Sequence, residues 1–229
     1  TFKALTIGVI VLLLLVPLSM LRDLVSERAS MRERAYARVA EGWGGNVVLG
    51  GPMLIVPTKR TYSDGEKTYT VLSRLHLLPA RVKVAIDVQL EQEPRKVGIY
   101  SVPVYLSDAH LSGEFDFAAL GPFLDRTDTT YLWREARLLL PLSEVRSLRE
   151  VRRASFQGQP LSLGPAGKHV LRGLEAPLDL SAFARGGVAS FDFQTVIAGS
   201  RDLSVLPLGS ETRVTLTSNW PHPSFRGSF

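Results

Sequence analysis

Val82-Lys83-Val84-Ala85-Ile86-Asp87-Val88-Gln89-Leu90-Glu91 alternates large apolar residues with small or polar ones at a period of two. Successive side chains of a β-strand point to opposite faces, so this stretch predicts a strand with one face in a core and one in solvent. Ala189, Phe191, Phe193, Thr195 and Ile197 repeat the pattern, and Val214 and Leu216 carry it into a final strand. Ser63-Asp64-Gly65-Glu66 separates Met53–Tyr62 from Lys67–Leu78. Asp-Gly supplies the positive φ angles of a tight turn, so these two runs predict a hairpin.

Val97–Tyr105 reads as a strand in which Pro103 requires an edge or a bulge. Tyr131–Leu140 reads as another, although its Leu138–Leu140 run does not alternate. Ser143–Arg153 predicts a short helix, and Gly158–Gly173 a loop or hairpin. Many strands separated by turns imply a mostly β fold, an antiparallel sandwich-like packing of two sheets.

A second kind of signal precedes the strands. Ala4–Leu21 is uncharged and mostly apolar. As a helix its 18 residues span about 27 Å, close to a bilayer core of about 30 Å. A buried core helix or a cleaved signal peptide are the alternatives. The length of the run and the absence of a small-residue cleavage pattern around Ser19 and Leu21 favour an uncleaved anchor. Pro17 deprives the Leu13 carbonyl of its helical partner and predicts a mild kink. From Arg22 to Glu41 the chain has no Gly or Pro and favours helix, with Leu21, Val25, Ala29, Tyr36, Ala40 and Trp43 on one stripe. Gly42, Gly44 and Gly45 predict its end. The expected organisation is therefore an anchor over 1–21, a juxtamembrane helix and glycine stop over 22–45, a β domain over 46–217 and a connector over 218–229. The chain begins at Thr1 and reads as a fragment of a longer protein.

Composition excludes several classes. The 229 residues contain no cysteine, so disulfides, thiolate metal sites and a cysteine nucleophile are absent from this span. The net charge of +5 favours anionic partners without choosing among them. Arg126–Arg153 is rich in arginine with Tyr131, Trp133 and Phe156 nearby, but its interspersed acids describe a solvated surface better than a nucleic-acid site. No nucleic-acid partner is expected.

No nucleophile elbow, phosphate loop or zinc-protease pattern is present. His76, His110, His169 and His222 show no helical metal-pair spacing. Asp108 and His110 would share a strand face, where a carboxylate could orient an imidazole for acid–base work. Glu91, Glu93, Glu114 and Asp116 could be combined into a glycosidase pair, but read more simply as exposed charges. No catalytic residue, cofactor or metal is expected. The most unusual segment is Asn219-Trp220-Pro221-His222-Pro223-Ser224-Phe225. Its prolines bar sheet pairing and hold the backbone extended, with two large aromatics around a histidine. It is the candidate interaction or coupling segment.

The sequence resembles the CreD family of bacterial inner-membrane, cell-envelope integrity proteins. The resemblance rests on Gly199-Ser200, Leu203-Ser204-Val205, Pro207, Gly209, Thr217-Ser218 running into Asn219–Phe225, and Gly227. Gly51-Pro52 with Val56-Pro57, and Arg95 leading into Gly98-Ile99-Tyr100 and Pro103-Val104-Tyr105, extend it. Leu24-Val25 and Glu27-Arg28 after the anchor complete it. Ser143-Glu144-Val145-Arg146-Ser147 departs from the Ser-Asp-x-Arg-Gly that members tend to show.

The resemblance implies an N-terminal transmembrane helix, an extracytoplasmic (periplasmic) β domain and further membrane helices beyond this span. It also implies a link to the Cre two-component system, envelope stress and β-lactam responses, and it brings no catalytic residues. Arg22, Arg28, Arg32, Arg34 and Arg38 after the anchor, against Lys3 before it, point the other way by the positive-inside rule. The family orientation is preferred.

The leading expectation is a non-catalytic inner-membrane protein whose periplasmic domain binds or scaffolds an envelope component or membrane-protein partner, with the lipid bilayer as its other partner. An envelope (cell-wall or lipid) hydrolase using His222 or His110 as base is one alternative. An accessory subunit of an envelope transporter or sensor is another.

Overall fold

A computed structural model describes residues 2–63, 65, 67–120, 124, 128–167, 171–224 and 226–227, without the side chains of residues 4–12, 14, 16 and 119. One long helix, α1 (Phe2–Trp43), leads into the β domain. The strands follow as β1 (Val47–Gly50), β2 (Met53–Ser63), β3 (Thr68–Leu77), β4 (Arg81–Leu90), β5 (Arg95–Val97), β6 (Tyr100–Val102), β7 (Tyr105–Asp116) and β8 (Thr129–Tyr131). They continue as β9 (Ala136–Pro141), β10 (Leu148–Phe156), β11 (Gln159–Pro160), β12 (Gly164–Pro165), β13 (Gly173–Leu178), β14 (Val188–Gly199), β15 (Leu203–Leu206) and β16 (Glu211–Ser218).

Two open sheets pack as a sandwich. One has the order β11-β10-β14-β7-β4-β16, and the other β12-β13-β9-β2-β3 with β8 also on β2. The alternation read from the sequence explains the core. Val82, Val84, Ile86 and Val88 of β4, and Ala189, Phe191, Phe193 and Ile197 of β14, face Leu54 and Val56 of β2 and Leu138 and Leu140 of β9. Phe115, Phe156 and Phe191 stack through the centre at tilted angles. The non-alternating Leu138–Leu140 run is explained by burial on both faces. Leu139 points away from the main core into a small cluster with Met53 and Ile55.

Pairing is not wholly antiparallel. β16 runs parallel to β4, and β1 parallel to β15. The hairpin of β2 and β3 forms with Ser63 opposite Thr68, while its turn residues Asp64 and Glu66 lie outside the described residues.

Three local expectations are corrected. The single strand over Val97–Tyr105 is a hairpin of β5 and β6 followed by the start of β7. Gly98, at φ +59°, opens its two-residue turn, and Pro103 offers no N–H to continue the ladder. Tyr131–Leu140 is broken by a 3₁₀ turn at Trp133–Glu135. Ser143–Arg153 is not an α-helix but a 3₁₀ turn, Val145–Ser147, running into β10. Helix-favouring composition loses there to cross-strand pairing with β14. Two bulges put Arg149 and Arg152 out of register, which erases the period of two from the sequence.

Helix α1 is continuous through Pro17 and past Leu21. The stripe expected on its second half is shifted: Ala35 and Val39 are buried, Tyr36 and Trp43 partly so, and Leu21 and Val25 exposed. The apolar run Ala4–Leu21 falls largely on side chains outside the described residues. Among the described residues no helix is long and apolar enough to cross a membrane.

Candidate functional site

The residues that the sequence singles out converge where α1 meets the β domain. Trp43 is the last residue of the helix, and Gly44 turns the chain at φ +104°. The Gly44 N–H donates to the Ala40 carbonyl at 3.0 Å, closing the helix. A Cβ at Gly44 would press on the Ala198 carbonyl and the Ser147 side chain, so glycine is required by both torsion and space. Ser200 Oγ donates to the Gly44 carbonyl at 2.7 Å in a buried contact.

The bulged Arg149 reaches this helix end. Its guanidinium donates to the carbonyls of Gly42 at 3.0 Å and Trp43 at 3.2 Å. A cation here complements the partial negative charge of a helix C-terminus. The Trp43 ring lies close to two guanidinium groups, Arg95 at 4.4 Å and Arg149 at 4.7 Å from its centroid. Its indole N–H donates to the Tyr105 carbonyl at 3.3 Å. One helical face away, Arg32 and Arg201 lie near the Tyr36 ring, and Arg201 also pairs with Glu33. Below these polar contacts Ala35 and Val39 bury against Val102 and Val104.

Tyr105 links this junction to the core. Burial pushes its hydroxyl pKa well above the ordinary tyrosine value, and the charge of Asp202 adds to the shift. Its ring fills the space that a side chain at Gly199 would occupy.

The C-terminal segment arrives at the same place. The Asn219 N–H donates to the Val88 carbonyl at 3.3 Å, and Asn219 Oδ1 accepts from the Leu90 N–H at 2.7 Å. Asn219 thus ends β16 by satisfying the end of β4. The Trp220 N–H donates to Ser218 Oγ at 3.0 Å, and its ring is half-buried. Pro221, His222, Pro223 and Ser224 are exposed, and Phe225 lies outside the described residues. Tyr105, Arg201, Asp202, Leu203, Trp220 and His222 line a groove of about 420 Å³ between this segment and the junction. Of the candidate segment, Trp220, His222, Pro223 and Ser224 therefore line a concave surface, whereas Asn219 serves the backbone.

The other sequence candidates are dispersed. Asp108 and His110 do share the outer face of β7, but they do not pair with each other. His110 Nε2 lies 2.8 Å from Asp192 Oδ2, and Asp108 pairs with the bulged Arg152. Both pairs are open to solvent. Glu114 pairs with Arg81 at one end of β4, while Glu91 follows Leu90 at the other, so the two do not form a carboxylate pair. Asp116 accepts from the Ala118 N–H at 2.9 Å. In the arginine-rich segment Arg137 pairs with Glu175 at 2.9 Å and Arg153 approaches Asp192 at 3.5 Å, while Arg126 lies outside the described residues, as does His169. Among the described residues no group of three acidic or histidine side chains is placed to hold a metal. The Ser143–Ser147 turn is occupied with its own chain: Val48 N–H donates to Ser143 Oγ at 2.9 Å and Gly45 N–H to Glu144 at 3.4 Å.

Sequence reading missed the roles of Arg95, Arg149 and Arg201. Each is one arginine among many, and only folding sets it beside an aromatic ring. Trp43 between glycines was the available signal, but it reads locally as a helix stop.

The model of the family described as inner membrane protein CreD matches residues 1–229. The chain belongs to the CreD family. It is 31% identical over 225 residues to inner membrane protein CreD of Escherichia coli strain K12, covering 96% of this chain. The chain spans about half the length of that curated CreD relative, 49% of it. No solved structure matches. The stretches that carried the resemblance lie largely around the junction: Gly199-Ser200 under the helix end, Arg95 on Trp43, Tyr100 and Val104 on α1, and Asn219-Trp220 beside Tyr105.

Proposed function

We propose that this chain is the anchored extracytoplasmic part of an inner-membrane protein that supports cell-envelope integrity. The apolar half of α1 crosses the bilayer, and the β domain stands in the periplasm. The domain acts by binding or scaffolding an envelope component or a membrane-protein partner, without catalysis. The Trp220–Phe225 connector couples it to membrane segments elsewhere in the full-length protein.

The observation that carries this reading is the shared attachment of helix and connector. Trp43 bonds to Tyr105, Asn219 bonds to Leu90, and Tyr105 and Leu90 are partners in one ladder. Two segments that enter one membrane are best held at one end of a domain, and the attachment of the helix end and Asn219 to one ladder pair supports this arrangement. The uncharged run Ala4–Leu21 and membership of a family described as inner membrane proteins support the anchor. A hydrolase reading is less well supported, because the histidine–carboxylate pair found among the described residues, His110 with Asp192, sits on an open sheet face.

The test is topology. Ser63→Cys places a single thiol on the exposed hairpin of the full-length protein, made cysteine-free elsewhere. A membrane-impermeant maleimide should label it in cells with only the outer membrane permeabilised. Labelling that requires lysis of the inner membrane would put the domain in the cytoplasm and overturn the proposal.

A further inference from the structure

The β5–β6 hairpin is an arm laid along the helix, away from the main sandwich. Its base packs on α1, where Val102 and Val104 bury against Ala35 and Val39. Its other end reaches toward the helix N-terminus, where the Tyr100 hydroxyl donates to the Arg28 carbonyl at 3.4 Å. The arm therefore points back toward the apolar run. Arg28 lies seven residues past Leu21, about 10 Å along a helix.

The tip carries an unusual side chain for a solvent-exposed turn. Gly98 opens the turn, and the next residue, Ile99, is 85% exposed. A β-branched apolar residue has no local reason to occupy a two-residue turn, which favours Gly, Asn and Asp. The helix surface at the same end is also apolar and exposed, with Leu18, Met20, Leu21, Leu24 and Val25 all open. The polar zone of a bilayer leaflet is about 5–8 Å deep. Arg28 thus lies a few ångströms outside that zone, and Ile99, at the end of the arm, is the side chain placed to reach it.

We propose that Ile99 is a membrane foot: the hairpin tip inserts into the headgroup zone of the bilayer that holds α1. This deepens the proposed function and rests on its anchor. The occupant is lipid, because the exposed Ile99 is held at the same end of the molecule as the exposed apolar residues Leu21, Leu24 and Val25 of α1. The nearby charges are mixed, with Arg22, Arg28 and Lys96 against Asp23, Glu27 and Glu93. The contact is accordingly apolar and does not depend on anionic lipid. With the helix as one point and the foot as a second, the domain is fixed in tilt, and the connector at Trp220 keeps a defined height above the membrane.

The test uses the full-length protein, cysteine-free except for one position, in vesicles of phosphatidylethanolamine and phosphatidylglycerol. A bimane probe at Ile99→Cys should shift to shorter wavelength and lose emission to lipids carrying a nitroxide near the headgroup. The same probe at Ser63→Cys should do neither. Emission should stay quenched when phosphatidylcholine replaces phosphatidylglycerol. A probe at Leu13→Cys, in the helix, reports the anchor separately. Quenching at Leu13 by deep nitroxides without quenching at Ile99 overturns the foot and leaves the anchor standing. A blue-shifted Ile99 probe that no lipid quenches means that protein covers the tip, and also overturns the foot. No quenching at either position overturns both.

Discussion

Trp43 and Asn219 bond to the two members of a single cross-strand pair. The Trp43 indole donates to the Tyr105 carbonyl, the Leu90 N–H donates to Asn219 Oδ1, and Leu90 and Tyr105 face each other across β4 and β7. The helix end and the segment that follows β16 are thus clipped to one point of the sandwich. Asn219→Ala leaves the Leu90 N–H without that acceptor, an effect of about 1 kcal/mol. Its signature should be local. Amide exchange at Leu90 and in β16 should accelerate while β14 stays protected; uniform acceleration would contradict the clip.

Trp43→Ala removes two cation–π contacts and a hydrogen bond at the helix end. Each cation–π contact contributes about 0.5–2 kcal/mol depending on exposure. The Arg95→Ala and Arg149→Ala effects should therefore shrink in a Trp43→Ala background, measured by thermal melting as a double-mutant cycle. Arg149→Ala should retain part of its effect, because it also holds the Gly42 and Trp43 carbonyls. Equal effects in both backgrounds would show that the ring and the arginines do not interact.

Alanine should be costly at Gly199 and nearly neutral at Gly164. A Cβ on Gly199 meets the Tyr105 ring, whereas one on Gly164 meets open space. Overpacking of this kind costs about 1–3 kcal/mol or more. Gly199→Ala should lower the melting temperature strongly and Gly164→Ala should leave it nearly unchanged. Similar melting for the two would refute the packing of Tyr105 against the backbone.

Tyr105 makes stability depend on alkaline pH. Its pKa is raised in the folded state by burial and by Asp202, so the folded protein holds this proton more tightly than the unfolded chain. That stabilisation is complete below the unfolded tyrosine value of about 10 and is lost as pH rises beyond it. Melting temperatures should fall above that pH, and fall less steeply in Tyr105→Phe. Parallel curves for the two proteins would remove Tyr105 as the cause.

The connector and the histidines separate the functional readings. Trp220→Ala should sensitise cells to envelope stress at unchanged protein level, since it removes the half-buried aromatic beside the junction groove. His110→Ala should leave the phenotype intact, because His110 only pairs with Asp192 on the outer sheet face. Loss of function in His110→Ala with a normal melting temperature would revive the hydrolase reading.

Helix α1, the β class and several strands were legible because their signals are local. The alternations at Val82–Leu90 and Ala189–Ile197 are periodic, and Asp64-Gly65 marks its hairpin within a few residues. The stretch Leu148–Phe156 was not legible. Its two bulges shift the phase twice, so the residues that face the core no longer fall on alternate positions. Gly98 and Pro103 did signal that Val97–Tyr105 is broken, but apolar content outweighed them. The candidate segment at Asn219–Phe225 was visible through its prolines and aromatics, although its surroundings were not.

Local sequence thus encodes what one or two turns of chain can carry: an uncharged helical run, period-two strands, glycine stops and a proline-flanked segment that cannot pair. Tertiary structure decided which distant pieces meet. Arg95 and Arg149 come to Trp43, Tyr105 takes the space that Gly199 leaves, and helix and connector reach one ladder pair. The physical reason is that such contacts depend on strand order and bulge placement. Both are set by burying two sheet faces together, a requirement of the whole chain that no short window of residues contains.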